Sequence, residues 1–171
     1  MKEDEIKRIV EFMEKIQYRF YDPNLLFTAL CHSSYAHEEK QRGRKDIESN
    51  ERLEFLGDAV VDLLIAEHLY RHYPESPEGT MSKVKAAAAS EEALAQIARD
   101  VGLNRYIFLG HGEELNAGRE RDSILSGALE ALAAALYLDG GFKVVEKILI
   151  SHLSHYISQI AEGKILSLIH I

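Results

Sequence analysis

Four carboxylates stand at Glu51, Glu54, Asp58 and Asp62, that is at i, i+3, i+7 and i+11 of the segment from Asn50 to Tyr73. If that segment is helical, about 100° per residue puts all four on one stripe roughly 80° wide. Like charges three and four residues apart repel, so helix stability gives no reason for the stripe. A hard cation held by oxygen ligands would remove the repulsion. A solvated acidic face is the plain alternative, and these carboxylates alone do not decide between the two. A further acid tips the balance. Ser123 to Leu138 carries a single charge, Glu130, among Ile124, Leu125, Ala128, Leu129, Ala131, Leu132, Ala133, Ala134, Ala135 and Leu136. Such a helix should be buried nearly all round. An ionised, unpaired Glu in its middle is costly, so Glu130 needs a cation or a proton.

The ligand types narrow the cation. No Glu-x-x-His occurs, which counts against a di-iron carboxylate bundle, and no His-Glu-x-x-His zinc motif occurs. The eight histidines are scattered. Oxygen-only ligation favours Mg²⁺ or Mn²⁺. Carboxylate-held Mg²⁺ near basic loops suggests phosphoryl-transfer chemistry, in which metal ions activate water and stabilise the leaving oxygen. The basic groups are Arg42, Arg44 and Lys45, then Lys83 and Lys85, then Arg119 and Arg121; solvation is the plain reading of each set.

These acids have to be held by helices. Leu53, Leu56, Val60, Leu63 and Leu64 recur at helical spacing and predict one long amphipathic helix from Asn50 to Tyr73. Ile6, Ile9, Val10, Met13 and Ile16 predict a first helix over residues 2 to 17. Asp22-Pro23 opens a short helix containing Leu25, Leu26, Ala29 and Leu30, and Ser33 or Ser34 can cap another short turn. Glu38 to Ser49 reads as an exposed loop. Helices are predicted at about 80–89 and from Ser90, as N-cap, to Val101, with Gly102 at the C-terminal end. A short helix at 104–109 and a loop from Gly110 to Arg121 follow. A helix from about Asp122 to Leu138 stops at Asp139-Gly140-Gly141, and a last one runs from Phe142 to about Ala161. With no period-2 strand and no internal repeat, the fold class is all-α.

Composition agrees with one domain. The chain has 171 residues, 46% hydrophobic and 28% charged, an ordinary soluble balance. No apolar run approaches the roughly 20 residues that span a bilayer, and the charged N-terminus is unlike a signal peptide, so no membrane partner is expected. Cys31 is the only cysteine, which precludes an intrachain disulfide and points to a reducing, cytoplasmic setting. Cys31 itself reads as a buried small residue. The net charge of -8 argues against broad nonspecific nucleic-acid binding, although bound cations and a few placed Lys and Arg can offset charge locally.

The stretch Asn50-Glu-Arg-Leu-Glu-Phe-Leu-Gly-Asp58 resembles the signature of the ribonuclease III endonuclease domain. The resemblance continues through His32-Ser-Ser-Tyr35, Lys83 to Glu92, Leu109-Gly-His-Gly-Glu113, Arg121-Asp-Ser-Ile-Leu125, and Glu130-Ala-Leu to Tyr137-Leu-Asp-Gly-Gly141. It implies an all-helical homodimer that cleaves double-stranded RNA with Mg²⁺, or Mn²⁺ as substitute. The products would carry 5′-phosphate and 3′-hydroxyl ends, as in rRNA and mRNA processing. By motif position it implies Glu54, Asp58 and Glu130 as metal ligands, Glu51 as a further catalytic acid, and Phe55 as a dimer-interface residue. RNA-binding residues are not implied individually. A-form RNA offers a wide, shallow minor groove that suits shape-based recognition.

Two departures qualify the resemblance. The position three before Glu130 is an aspartate ligand in the family and is Gly127 here, which is expected to impair the site; Gly127→Asp should then raise Mg²⁺-dependent cleavage. The alternative is a catalytically inactive dimeric RNA-binding or scaffold protein of the same fold, against which the four remaining acids count. The expected organisation is an endonuclease domain over residues 1–163. Residues 164–171 read as a truncated or non-native tail, standing where bacterial-type members continue into a double-stranded-RNA-binding domain.

Overall fold

The computed structural model describes residues 1–163; the expected tail at 164–171 lies outside the described residues. The elements are α1 (Glu3–Ile16), α2 (Pro23–Leu30), α3 (Ser33–Gln41), α4 (Glu51–His72), α5 (Glu78–Ala88), α6 (Glu91–Val101), α7 (His111–Leu115), α8 (Asp122–Gly140) and α9 (Phe142–Ala161). Single 3₁₀ turns lie at Leu103–Arg105 and Gly118–Glu120. Among the described residues there is no strand, only one isolated bridge between Cys31 and Phe108. The all-α expectation holds.

Local chemistry sets most boundaries. The Asp22 carboxylate accepts from the Asn24 N–H at 3.1 Å, and Pro23 fills the first helical position of α2. The Ser90 hydroxyl accepts from Ala93 N–H at 3.2 Å, and Gly102 ends α6 at φ 81°. At α3 neither serine is the cap. His32 Nδ1 accepts from the Ser34 N–H at 3.2 Å, while the Ser34 hydroxyl accepts from the Gly110 N–H at 2.9 Å. The segment read as a loop from Gly110 to Arg121 contains α7 and a 3₁₀ turn. The short helix expected at 104–109 is only the 3₁₀ turn, after which Phe108 pairs with the end of α2: its N–H donates to Leu30 O at 2.8 Å.

Helix α8 is the centre of the molecule. From Ile124 to Leu136 every residue is buried except Glu130, and α2, α4, α6 and α9 pack around it. By length and composition α8 could cross a membrane, yet its apolar surface is met by its neighbours. On α4, Leu53, Val60 and Leu64 are buried, but Leu63 is 55% exposed while Val61, Ile65 and Leu69 are buried, so the buried face is turned away from Leu63. On α1 the buried face centres on Ile9 and Phe12, leaving Ile6 and Val10 on the surface.

Of the expected loop from Glu38 to Ser49, the first residues belong to α3 and most of the rest is exposed, but Arg44 and the buried Ile47 tie it down. Glu5, fully buried on α1, accepts from Arg44 at 2.8 and 3.0 Å, from the Tyr35 hydroxyl at 2.6 Å and from the Lys2 N–H at 2.7 Å. Glu39 pairs with Arg44 at 3.2 Å and with Lys2 at 2.7 Å. Arg119 likewise donates to the carbonyls of Asn104 and Ile107 at 3.0 and 2.7 Å. Both arginines are therefore structural. Cys31 is buried, and burial pushes its thiol well up from its ordinary value.

Candidate active site

The site is built where α4 crosses α8. A Cβ added at Gly57 would lie 1.7 Å from the Glu130 carbonyl oxygen and 2.3 Å from its carbon. Only glycine permits this backbone-on-backbone approach. It sets Asp58, the next residue on α4, beside the Glu130 side chain, close enough for a hydrogen bond when one of the two carboxyls is protonated. One turn earlier on each helix, the Glu54 carboxyl group lies over Gly127. The three atoms nearest to a Cβ at Gly127 would be Glu54 Oε2, Cδ and Oε1, at 2.8, 3.0 and 3.3 Å.

The start of α4 is fixed by Asn50, which is buried. Its N–H donates to Cys31 O at 2.8 Å and its side-chain amide donates to Ala29 O at 3.2 Å. Asn50 is therefore spent on α2 and offers no side-chain cap to α4. Glu51 and Asp58 are exposed, and Glu54, Asp62 and Glu130 are half-buried.

Electrostatics follow from that placement. Glu130 is pushed up to about 8, first by burial, then by its hydrogen bond to Asp58 and the charges of Asp58, Glu54 and Asp62. Burial raises Glu54 as well, helped by Glu51 and Asp58. Asp62 is raised by burial and by Asp58, against the opposing charge of Lys85. Among the described residues no lysine or arginine lies within ion-pair distance of Glu51, Glu54, Asp58 or Glu130. The donor chemistry, oxygen-only and short of positive charge, fits a hard divalent cation. Among the described residues no three of these acids already converge as a coordination group, so the side chains have to swing together to hold one.

The residues singled out in the sequence thus lie along one crossing: Asp58 stands beside Glu130, Glu54 lies one turn away over Gly127, and Glu51 is exposed at the start of α4. Phe55 is 85% exposed and borders an open groove of about 680 Å³ whose walls include Leu25, Thr28, Leu56 and Leu138. Sequence reasoning missed Gly57 and Asn50 as positioning residues. A glycine in the interior of an amphipathic helix was the available signal for the first.

A family model described as ribonuclease-III-like matches residues 22–157. The chain belongs to the ribonuclease III family. Ribonuclease 3 of Pseudothermotoga lettingae is 65% identical over 165 residues, covering 96% of this chain and 69% of its own length. Ribonuclease 3 of Caldanaerobacter subterraneus is 45% identical over 150 residues, covering 88% of this chain and 64% of its own length. The chain therefore spans about two thirds of the length of these relatives. A solved nuclease domain of ribonuclease III from Campylobacter jejuni, described for structural flexibility in the region involved in dimer formation, superposes with a TM-score of 0.76 at 38% identity, covering 86% of this chain and 97% of its own. A second structure of that nuclease domain gives 0.74 at 38% identity over 91% and 96%. The likeness is to the nuclease domain of ribonuclease III, an endoribonuclease fold, and the relatives do not favour a bare scaffold.

Proposed function

We propose that this ribonuclease III-type endoribonuclease domain hydrolyses phosphodiester bonds of double-stranded RNA with Mg²⁺, Mn²⁺ serving as substitute. The products would be 5′-phosphate and 3′-hydroxyl ends, in rRNA and mRNA processing within the cytoplasm. The observation that carries the reading is the crossing of α4 and α8, which brings Asp58 to Glu130 and Glu54 over Gly127 with no cationic side chain among the described residues within ion-pair distance of them.

In this reading Glu54, Asp58 and Glu130 would hold the cation. The metal, when bound, would supply an activated water and stabilise the leaving oxygen. Glu130 would act as a ligand in its ionised form, and the cation would offset the repulsion between it and the neighbouring Asp58. Glu51, exposed at the start of α4, extends the acidic surface towards substrate. Phe55 and the groove beside it would form the face of a homodimer, since a large exposed aromatic next to an apolar groove is an interface feature.

The test is cleavage of a labelled RNA duplex at low salt, because phosphate contacts weaken steeply with salt. The chain, Gly127→Asp and Asp58→Asn are compared, each with Mg²⁺ and with Mn²⁺. Cleavage by the chain that Asp58→Asn abolishes supports the reading, and a gain in Gly127→Asp identifies a weakened site. Duplex binding without cleavage in both the chain and Gly127→Asp overturns it in favour of an RNA-binding module.

A further inference from the structure

Two glycines lie at the crossing, and they differ in what they face. Gly57 faces backbone: a side chain there would run into the Glu130 peptide unit. Gly127 faces only the far end of a flexible side chain, since the nearest atoms to its missing Cβ are the carboxyl atoms of Glu54. Gly127 lies in the body of α8 and is not among the glycines with positive φ, so its backbone does not demand glycine. Inside a helix glycine is also less favourable than alanine. Neither backbone conformation nor helix packing explains it. What remains is Glu54, a half-buried carboxylate with no hydrogen-bond or ion-pair partner among the described residues, lying in the space a side chain at Gly127 would fill.

We propose that Gly127 is the seat of the Glu54 carboxylate: the bare α8 backbone lets Glu54 reach across from α4 and stand where a side chain of α8 would otherwise supply an oxygen ligand. The inference rests on the cation reading above. In this account the site is compensated, not simply one ligand short. Glu54 serves both its own place on α4 and the gap on α8, so cation binding in this chain leans on Glu54 more heavily than it would with an acid at Gly127. A methyl group at Gly127 would push the carboxylate back by up to an ångström or so, an easy move for a flexible side chain that still takes the oxygen off its seat.

The experiment measures Mn²⁺ binding to the full chain by calorimetry, alongside thermal unfolding without metal. The variants are Gly127→Ala, Gly127→Asp, Glu54→Gln, and the two double variants carrying Glu54→Gln. Gly127→Ala is expected to hold or raise the metal-free unfolding temperature while weakening Mn²⁺ on the order of tenfold, as when a ligand's supporting shell is disturbed. The loss should vanish in the Glu54→Gln background, because the glycine acts through Glu54. Glu54→Gln should cost less affinity beside Gly127→Asp than it does in the parent. A packing role would give the opposite pattern: a lowered unfolding temperature with unchanged Mn²⁺ affinity. That pattern, or equal losses with and without Glu54, overturns the inference. Should Gly127→Ala fold poorly, the comparison of Glu54→Gln in the parent and beside Gly127→Asp decides alone, and equal penalties there reject the seat. If the parent binds no Mn²⁺, the cation reading fails along with it; if the parent binds and the variants do not differ, only the seat fails.

Discussion

The carbonyl oxygen of Glu130 lies where the Cβ of any residue larger than glycine at position 57 would have to be, 1.7 Å from the ideal Cβ of Gly57. Helices α4 and α8 thus touch through their backbones, and Asp58 and Glu130 are neighbours because of it. Gly57→Ala should therefore destabilise the fold by about 3 kcal/mol or more, at the upper end of overpacking costs, since the obstacle is backbone and cannot rotate away. Urea unfolding checks the magnitude. A cost below about 1 kcal/mol would mean that the helices can separate freely and that the crossing does not fix the acids.

Glu130 makes stability fall as pH rises. Its folded-state value is about 8, above the value of an unfolded glutamate. Between the two the folded chain binds the extra proton, so the metal-free protein loses stability as pH climbs through that window. Glu130→Gln removes the charge without the shape. It should flatten the pH dependence between about pH 5 and 8 and raise stability at the alkaline end. It should also abolish the stabilisation that Mn²⁺ gives the parent. Denaturation midpoints at several pH values, with and without Mn²⁺, test both. Parallel profiles for parent and variant would refute the assignment.

Glu5 has the opposite sign. Burial alone would raise it, but hydrogen bonds from Arg44, Tyr35 and the Lys2 N–H, with the Arg44 charge, hold it down at about 2. Its stabilisation is present above the unfolded glutamate value and is lost as pH falls from there towards 2. Arg44→Met would strand a fully buried carboxylate on α1, and breaking such a pair costs about 3–5 kcal/mol. The same substitution should flatten the acid limb of the stability profile, because Glu5, no longer held below its unfolded value, stops losing stabilisation as pH falls. An unchanged acid limb would show that Arg44 and Glu5 are not coupled.

How much of this was readable beforehand depends on how local the cause is. The helices around Ile9, Leu53 and Ile124 follow from apolar spacing, and Ser90 and Gly102 mark the ends of α6 by their own chemistry. Glu130 was legible because one charge in an apolar helix has to be neutralised. The Glu5–Arg44 pair was not, because its partners are 39 residues apart and only the tertiary fold turns a loop arginine inward. The cap of α3 was misread because histidine accepts a backbone hydrogen bond only in one tautomer, which the neighbouring Ser34 geometry selects. Periodicity placed Leu63 on an apolar stripe but could not say which face of α4 is covered. Gly57 and Gly127 look alike in sequence; what faces each of them appears only once α4 lies on α8.

Phe55 gives the remaining prediction. It is 85% exposed and makes no aromatic contact among the described residues, so the monomer's fold gains little from it. Exposed residues outside special features change stability by about 0.5 kcal/mol or less, so Phe55→Gln should leave monomer unfolding nearly unchanged. If Phe55 enters the groove of a second copy, loss of a buried aromatic anchor should cost the dimer about 2 kcal/mol or more. Sedimentation over a range of protein concentrations reads this as a shift towards monomer, and duplex cleavage should fall with it at low enzyme concentration and recover at high. That concentration dependence separates an interface role from a catalytic one, because a residue acting on the substrate would lower cleavage equally at every concentration. A variant that stays dimeric, or a parent that is monomeric throughout, would remove Phe55 from the interface.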